Sequence, residues 1–313
     1  MIEQFLEKFE NLNKENLHLY FITRVLKPNV KKRAKILDKY NFEIYQVDID
    51  KEIRLHLFDI SIKQLKYIDK KQLETTEYEA ITDDIRQIFT YDASNKAMSF
   101  LDIVKNKLEN KSKIPKVNNL TEIVNSQELW AYSVGFYDND DWIYSFRKIL
   151  KGKVAVDENT AKSKKIFGTF RTKFNTVSNK LEILKGETIN LDERIDCMYF
   201  NETFYIFQKT QFEQITGLTE EFKEHAETIA DELIATNMFD GMDLLKKQIE
   251  ENPAIHKKLV RLKKINNYQN LTEKSLKKMI KIAKRYGGTL KENKGKIVIE
   301  NENDIDLTIK VLW

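Results

Sequence analysis

The most suggestive chemistry in this chain is carried by cations. Residues 273–286 read EKSLKKMIKIAKRY, where Lys274, Lys277, Lys278, Lys281, Lys284 and Arg285 surround Leu276, Met279, Ile280 and Ala283. On a helix that three- and four-residue spacing separates an apolar stripe from a cationic face. A gathered cationic face suits a polyanion. Each lysine that neutralises a phosphate releases condensed counterions, so about six contacts give sequence-independent, salt-sensitive affinity. The same face also fits plain solvation, or a protein or anionic-lipid surface, and the abundance of Lys and Asn in the chain strengthens the solvated alternative. A second group, Lys162, Lys164, Lys165 and Arg171, with Lys173 beyond it, interleaves with Phe167, Phe170 and Phe174. Cations between aromatic rings suit unpaired nucleic acid, where rings stack on bases. The three phenylalanines equally fit the core stripe of a helix.

Catalytic patterns are scarce. A metal-dependent nuclease needs carboxylates near a lysine. Asp192 and Asp196 precede two strand-like runs, and FYIFQK ends in Lys209, but Phe207 stands where the second acid belongs. A nuclease using Asp192, Asp196 and Lys209 with magnesium is therefore the runner-up reading. Asp138, Asn139, Asp140 and Asp141 are sufficiently explained as a polar turn between strands. The four histidines, His18, His56, His225 and His256, lack ligand spacing. Cys197 is the one cysteine, which excludes an intramolecular disulfide and a Cys-rich zinc site. It sits in a strand-like pattern as a small buried filler. There is no Gly-x-Gly-x-x-Gly, Walker A, His-Glu-x-x-His or Gly-x-Ser-x-Gly motif. The expectation is a protein with no catalytic residues, no metal and no cofactor.

The elements that must position these residues follow from periodicity. Residues 2–10 read as a short helix with Phe5, Leu6 and Phe9 on one side. LHLYFITRVL (17–26), FEIYQVDI (42–49) and IRLHLFDISI (53–62) read as strands, the last two joined as a hairpin. DDIRQIFTYD (83–92) and NKAMSFLDIVKNKLEN (95–110) switch to helical spacing. WAYSVGFY, DWIYSFRKIL, KLEILKG, IDCMYF and TFYIFQ are further strands, the last two turning at Asn201-Glu202. The basic segment 158–174 reads as helical. A clear amphipathic helix follows, with Thr219 as cap and Phe222, Ala226, Ile229 and Leu233 as its stripe. Its other face is acidic over 220–232 and offers a partner surface for a third reading, a non-catalytic oligomeric scaffold. Beyond 240 the pattern is mostly helical, with Pro253 opening one helix, Thr272 capping the next and Gly287 closing it. KIVIE then reads as a strand, and DIDLTIKVLW as a strand or short helix. Helix, short turn, basic helix and then a strand with a Lys-rich turn is the order of a winged-helix or other helix-turn-helix module.

The fold class expected is α+β: a mixed sheet core with flanking helices and a mostly helical, basic, helix-turn-helix-like C-terminal module. Polar NKSKIPKVNN (110–119) marks a boundary, giving three regions, 1–119, 120–238 and 239–313. The net charge of +4 hides strong segregation. Residues 251–300 hold 14 Lys/Arg against 4 Glu, or +10, and residues 147–185 hold 11 against 3 acids, or +8, which leaves −14 for the remainder. No apolar run approaches the ~20 residues that cross a bilayer. The start MIEQFLEKFENLNKEN has no basic segment before an apolar core, so a cytoplasmic protein is expected.

One run has a family look. LDERIDCMYFNETFYIFQKTQFEQITGLTEEFKEHAETIADELI (191–234) resembles the KwaB-like family of the Kiwa anti-phage defence system, and the likeness extends more loosely over 130–313. The resemblance implies a cytoplasmic DNA-binding component that works beside a small membrane-protein partner and forms a homo-oligomer. DNA is thereby favoured over RNA. Recruitment to the inner membrane face by that partner is also implied. No catalytic signature comes with the family. Leu191, Asp192, Asp196, Phe212 and Glu213 carry the match and look like fold determinants, leaving the lysine segments as the binding residues on charge grounds.

Overall fold

Apolar residues run almost unbroken through LHLYFITRVL and WAYSVGFY, which suits strands covered on both faces and not only one. The structure, a computed structural model, describes residues 2–27, 40–80, 87–93, 108, 114–117, 128–138, 141–149, 172–175, 180–183, 194–265 and 267–313. Its elements are α1 (Ile2–Asn11), β1 (Leu17–Leu26), β2 (Tyr40–Val47), α2 (Lys51–Lys70), β3 (Thr75–Glu77), β4 (Ile88–Asp92), β5 (Lys116–Val117), β6 (Glu128–Asp138), β7 (Asp141–Lys148), β8 (Thr172–Asn175) and β9 (Lys180–Ile183). There follow β10 (Cys197–Phe200), β11 (Thr203–Ile206), α3 (Lys209–Thr216), α4 (Leu218–Ala235), β12 (Phe239–Asp240), α5 (Met242–Glu251), α6 (Pro253–Ile265), α7 (Glu273–Arg285), β13 (Lys291–Asn293), β14 (Lys296–Val298) and α8 (Glu302–Leu312).

The expected mixed α/β fold with a mostly helical C-terminal region is what forms. Nine strands make one sheet in the order β3-β4-β11-β10-β7-β6-β1-β2-β5. Its pairs are antiparallel except at the two edges, where β3 runs parallel to β4 and β5 parallel to β2. Strands from either side of residue 119 hydrogen-bond within this one sheet. The β10–β11 hairpin turns at Asn201 and Glu202, both with positive φ (46° and 57°), the two-residue turn whose twist matches antiparallel strands.

Both faces are covered. Leu17, Leu19, Phe21, Val134 and Phe136 pack under α1 and α2 against Phe5, Phe9, Leu57, Phe58 and Leu65. Tyr20, Ile22, Tyr144, Phe146 and Phe204 pack on the other side against Phe212, Ile215, Leu218 and Phe222. A separate core joins α4 to α8 and β14 through Ala226, Ile229, Leu233, Leu259, Leu262, Leu276, Met279, Ile297 and Ile309.

Several local expectations are corrected. Residues 53–62 are not a strand but the first half of α2, and no hairpin precedes them. The Asp50 carboxylate accepts from the Ile53 N–H at 2.8 Å and caps a helix instead. Residues 88–92, expected as helix, form β4, because they pair with β11 in the sheet interior. Thr219 does not cap α4. That helix begins one residue earlier, behind Gly217 in the left-handed conformation (φ 81°), which also ends α3. Phe174 lies in β8, paired with Leu181 of β9, and not in a helix. DIDLTIKVLW is helical, as part of α8, closed at its start by a reciprocal cap between Asn301 and Asp304. Most of 95–110 and all of 151–171 lie outside the described residues.

Candidate nucleic-acid interface

α7 is placed by a cap, a stripe and a stop. Thr272 Oγ1 accepts from the Ser275 N–H, while Leu276, Met279 and Ala283 are buried and Ile280 is half-buried. At the far end the Gly287 N–H donates to Lys284 O and the Gly288 N–H to Ala283 O, a left-handed stop with Gly287 at φ 77°. This fixes which side of the helix faces water. Lys274, Lys277, Lys278, Lys281, Lys284 and Arg285 are all exposed. At 3.6 residues per turn they fall within an arc of about 120°, opposite the buried stripe, over about 16 Å of axis.

Several neighbouring cations are otherwise employed. Lys257 Nζ pairs with Glu213 at 2.7 Å, Lys258 with Asp306 at 2.8 Å and Lys246 with Asp231 at 2.9 Å. Lys291 pairs with Glu300, Lys296 with Asp240 at 3.6 Å, and the Arg261 guanidinium lies over the Trp313 ring. None of the six α7 cations has a carboxylate or ring partner among the described residues. The described cations of residues 251–300 therefore include paired ones that hold the module together, a group of six gathered on one helix, and Lys263 and Lys294 exposed elsewhere.

After α7 the chain forms the hairpin β13–β14, in which Asn293 opposes Lys296 across Lys294 and Gly295. Both turn residues have positive φ (50° and 76°). A Cβ on Gly295 would lie 4.0 Å from Glu273 Oε1, so this turn rests by the first turn of α7. Lys294 at its tip is exposed and joins the same neighbourhood. Only Gly295 hints at this turn in the sequence, because Lys at the first turn position is not among the residues that favour positive φ. β14 also pairs in parallel with β12, giving the order β12-β14-β13.

The second basic group gives less. Lys162, Lys164, Lys165 and Arg171 lie outside the described residues. Two other cations of 147–185 are structural. Arg147 is 1% exposed and its Nη1 donates to Tyr132 Oη at 3.0 Å. Lys148 Nζ sits 3.5 Å from the centroid of the Trp130 ring and donates to Trp130 O.

The residues considered for nuclease chemistry are tied into the fold. Asp196 is buried, its Oδ2 accepts from the Lys148 N–H at 2.7 Å, and its carbonyl accepts from the N–H groups of Phe207 and Gln208. Lys209 Nζ lies over the rings of Phe89 and Tyr78 at 5.1 and 5.4 Å, and Asp192 lies outside the described residues. Burial, aided by the Asp196 charge, pushes the Cys197 thiol well up, away from thiolate chemistry. Among the described residues no group of three or more His, Cys, Asp or Glu is placed to hold a metal, and no helix is long and apolar enough to cross a membrane.

Phe212 and Glu213 are the pivot of the fold. Phe212 is fully buried among Tyr78, Tyr91 and Phe204, and Glu213 receives both Lys257 Nζ and the Tyr78 hydroxyl. The acidic face of α4 is likewise partly spent inside the molecule. Glu220 pairs with Arg24 at 2.9 Å, and Glu232 accepts from Tyr268 Oη at 2.6 Å.

Neither a search of curated proteins nor one of solved structures finds a match. A family description, Kiwa protein KwaB-like, matches residues 126–313, which takes in β6 to α8, the Phe212–Glu213 pivot and α7. That match covers more than half of the chain, and the protein belongs to the KwaB-like family, as a component of the Kiwa anti-phage defence system.

Proposed function

We propose that this chain is the DNA-binding component of its defence system, gripping phosphate backbone without reading sequence and without cutting it. The observation that carries the reading is the division of cations. Within one module Lys257, Lys258, Lys291 and Lys296 are neutralised by carboxylates from neighbouring elements, while five lysines and Arg285 on α7 share a solvent-facing arc. Leaving like charges side by side costs Coulomb energy, and a phosphate chain relieves that cost by counterion release. The face presents lysines and one arginine, with no Asn, Gln or carboxylate between the cations to read base edges, which fits backbone contact in preference to sequence readout. In this reading residues 239–313 act as a basic binding module of helix-turn-helix type, with Lys294 on its wing. A small membrane-protein partner of the same system would recruit the cytoplasmic, homo-oligomeric protein to the inner membrane face.

Reversing Lys277, Lys278 and Lys281 to Glu together tests it. Retention of duplex DNA in a mobility-shift experiment at about 0.1 M salt is expected to vanish, while the melting curve and far-UV spectrum stay as in the parent. Unaltered retention by a folded triple variant overturns the proposal.

A further inference from the structure

Tyr286 directly follows Arg285 and is 62% exposed although it sits at a tightly fixed point of the chain. Its backbone N–H donates to the Ile282 and Ala283 carbonyls. Two residues on, a Cβ at Gly288 would fall 2.5 Å from Leu307 Cδ2, so the chain is pressed onto α8 there. The ring itself has no hydrogen bond, aromatic neighbour or cation over it among the described residues. A rigid mount with an unused aromatic face at the end of a cationic track is the pairing of parts that unpaired nucleic acid uses, cations on phosphates and rings on bases.

Its position restricts what it can reach. At 3.6 residues per turn Tyr286 lies about 80° beyond the edge of the cationic arc. A duplex is stiff over a persistence length of about 150 base pairs, so one resting on the arc does not bend round the helix end. A single strand leaving a duplex end turns that corner readily. We propose that Tyr286 stacks on an unpaired base, so that the α7 site favours DNA carrying a single-stranded tail over uninterrupted duplex. This rests on the α7 cations binding phosphate.

The test uses the full chain and two fluorescent probes, a duplex closed by hairpin loops at both ends and the same duplex with a tail of about 10 nucleotides, within the usual reach of a single-strand site. The parent is expected to bind the tailed probe roughly ten-fold more tightly. Tyr286→Ala is expected to erase that preference and leave the closed probe unaffected, and Tyr286→Phe to retain it. A parent without tail preference, a Tyr286→Ala variant that keeps it, or equal weakening of both probes overturns the assignment. Failure of the Lys277, Lys278 and Lys281 reversals to weaken the closed probe would instead overturn the cationic reading beneath it.

Discussion

Glu213 draws partners from distant parts of the chain. Tyr78 follows β3 and Lys257 lies on α6, yet the Tyr78 hydroxyl and Lys257 ammonium reach the two oxygens of one buried carboxylate at 2.8 and 2.7 Å. A lysine here is not interchangeable with one on α7. Removing it leaves Glu213, with a side chain only 3% exposed, holding its charge against a single neutral donor. Breaking such a pair costs more than the pair contributes, because the desolvation of the remaining ion is no longer offset. Lys257→Ala is expected to lower unfolding stability by roughly 2–3 kcal/mol, somewhat below the fully buried case because Lys257 keeps some solvent contact. Lys257→Met combined with Glu213→Gln should recover much of that loss. Urea midpoints of the three proteins decide it, and a single variant as stable as the parent would show that the pair holds nothing.

Glycines set where elements can meet, and Gly241 is the sharpest case. It lies between β12 and α5 with φ 83°, and a Cβ there would stand 2.1 Å from the Ile299 carbonyl oxygen just after β14. Gly287 has a similar φ of 77° but open space around it. Both substitutions to Ala incur the left-handed penalty of about 1–2 kcal/mol, and only Gly241→Ala must also push β14 away from β12. Gly241→Ala is therefore expected to lower the melting temperature well beyond Gly287→Ala, and equal effects would count against the close approach. The same locality explains what the sequence disclosed. Helices with wide apolar stripes and side-chain caps were legible, as at Thr272 and α7. Ile53, Leu55 and Leu57 alternate within a ten-residue window and read as a strand. The longer run to Ile68 has helical spacing, and Asp50 supplies the cap. β4 was misread because its order comes from pairing with β11, more than 100 residues away. The cationic face of α7 was visible, but which lysines stay free was not. Lys257, Lys258 and Lys296 find acids 44, 48 and 56 residues off, and no spacing rule spans that distance.

Across the whole molecule α4 belongs to two cores at once. Leu218 and Phe222 bury against the nine-stranded sheet, while Ala226, Ile229 and Leu233 bury among the C-terminal helices. The helical module is thereby carried by the sheet, with Val260 of α6 also packed against the sheet-side core, and its α7 face turns to solvent. Because net charge is only +4, the protein as a whole is a weak attractor for a polyanion, and any strong attraction must come from where the charge is unpaired. That distinction is measurable. If the six α7 cations each meet a phosphate, the logarithm of duplex affinity should fall against the logarithm of salt with a slope of about −5, a loss near 1,000-fold between roughly 50 and 200 mM. Changing Lys277, Lys278 or Lys281 singly to Gln should flatten the slope by about 0.9 each. Lys258→Gln removes the same formal charge from the same module, but that charge is already spent on Asp306 and should leave the slope as it was. Fluorescence anisotropy over a salt series separates the two cases. A Lys258→Gln slope that flattens as much as the α7 variants would mean that DNA responds to the summed charge of the module and not to the arrangement on one helix.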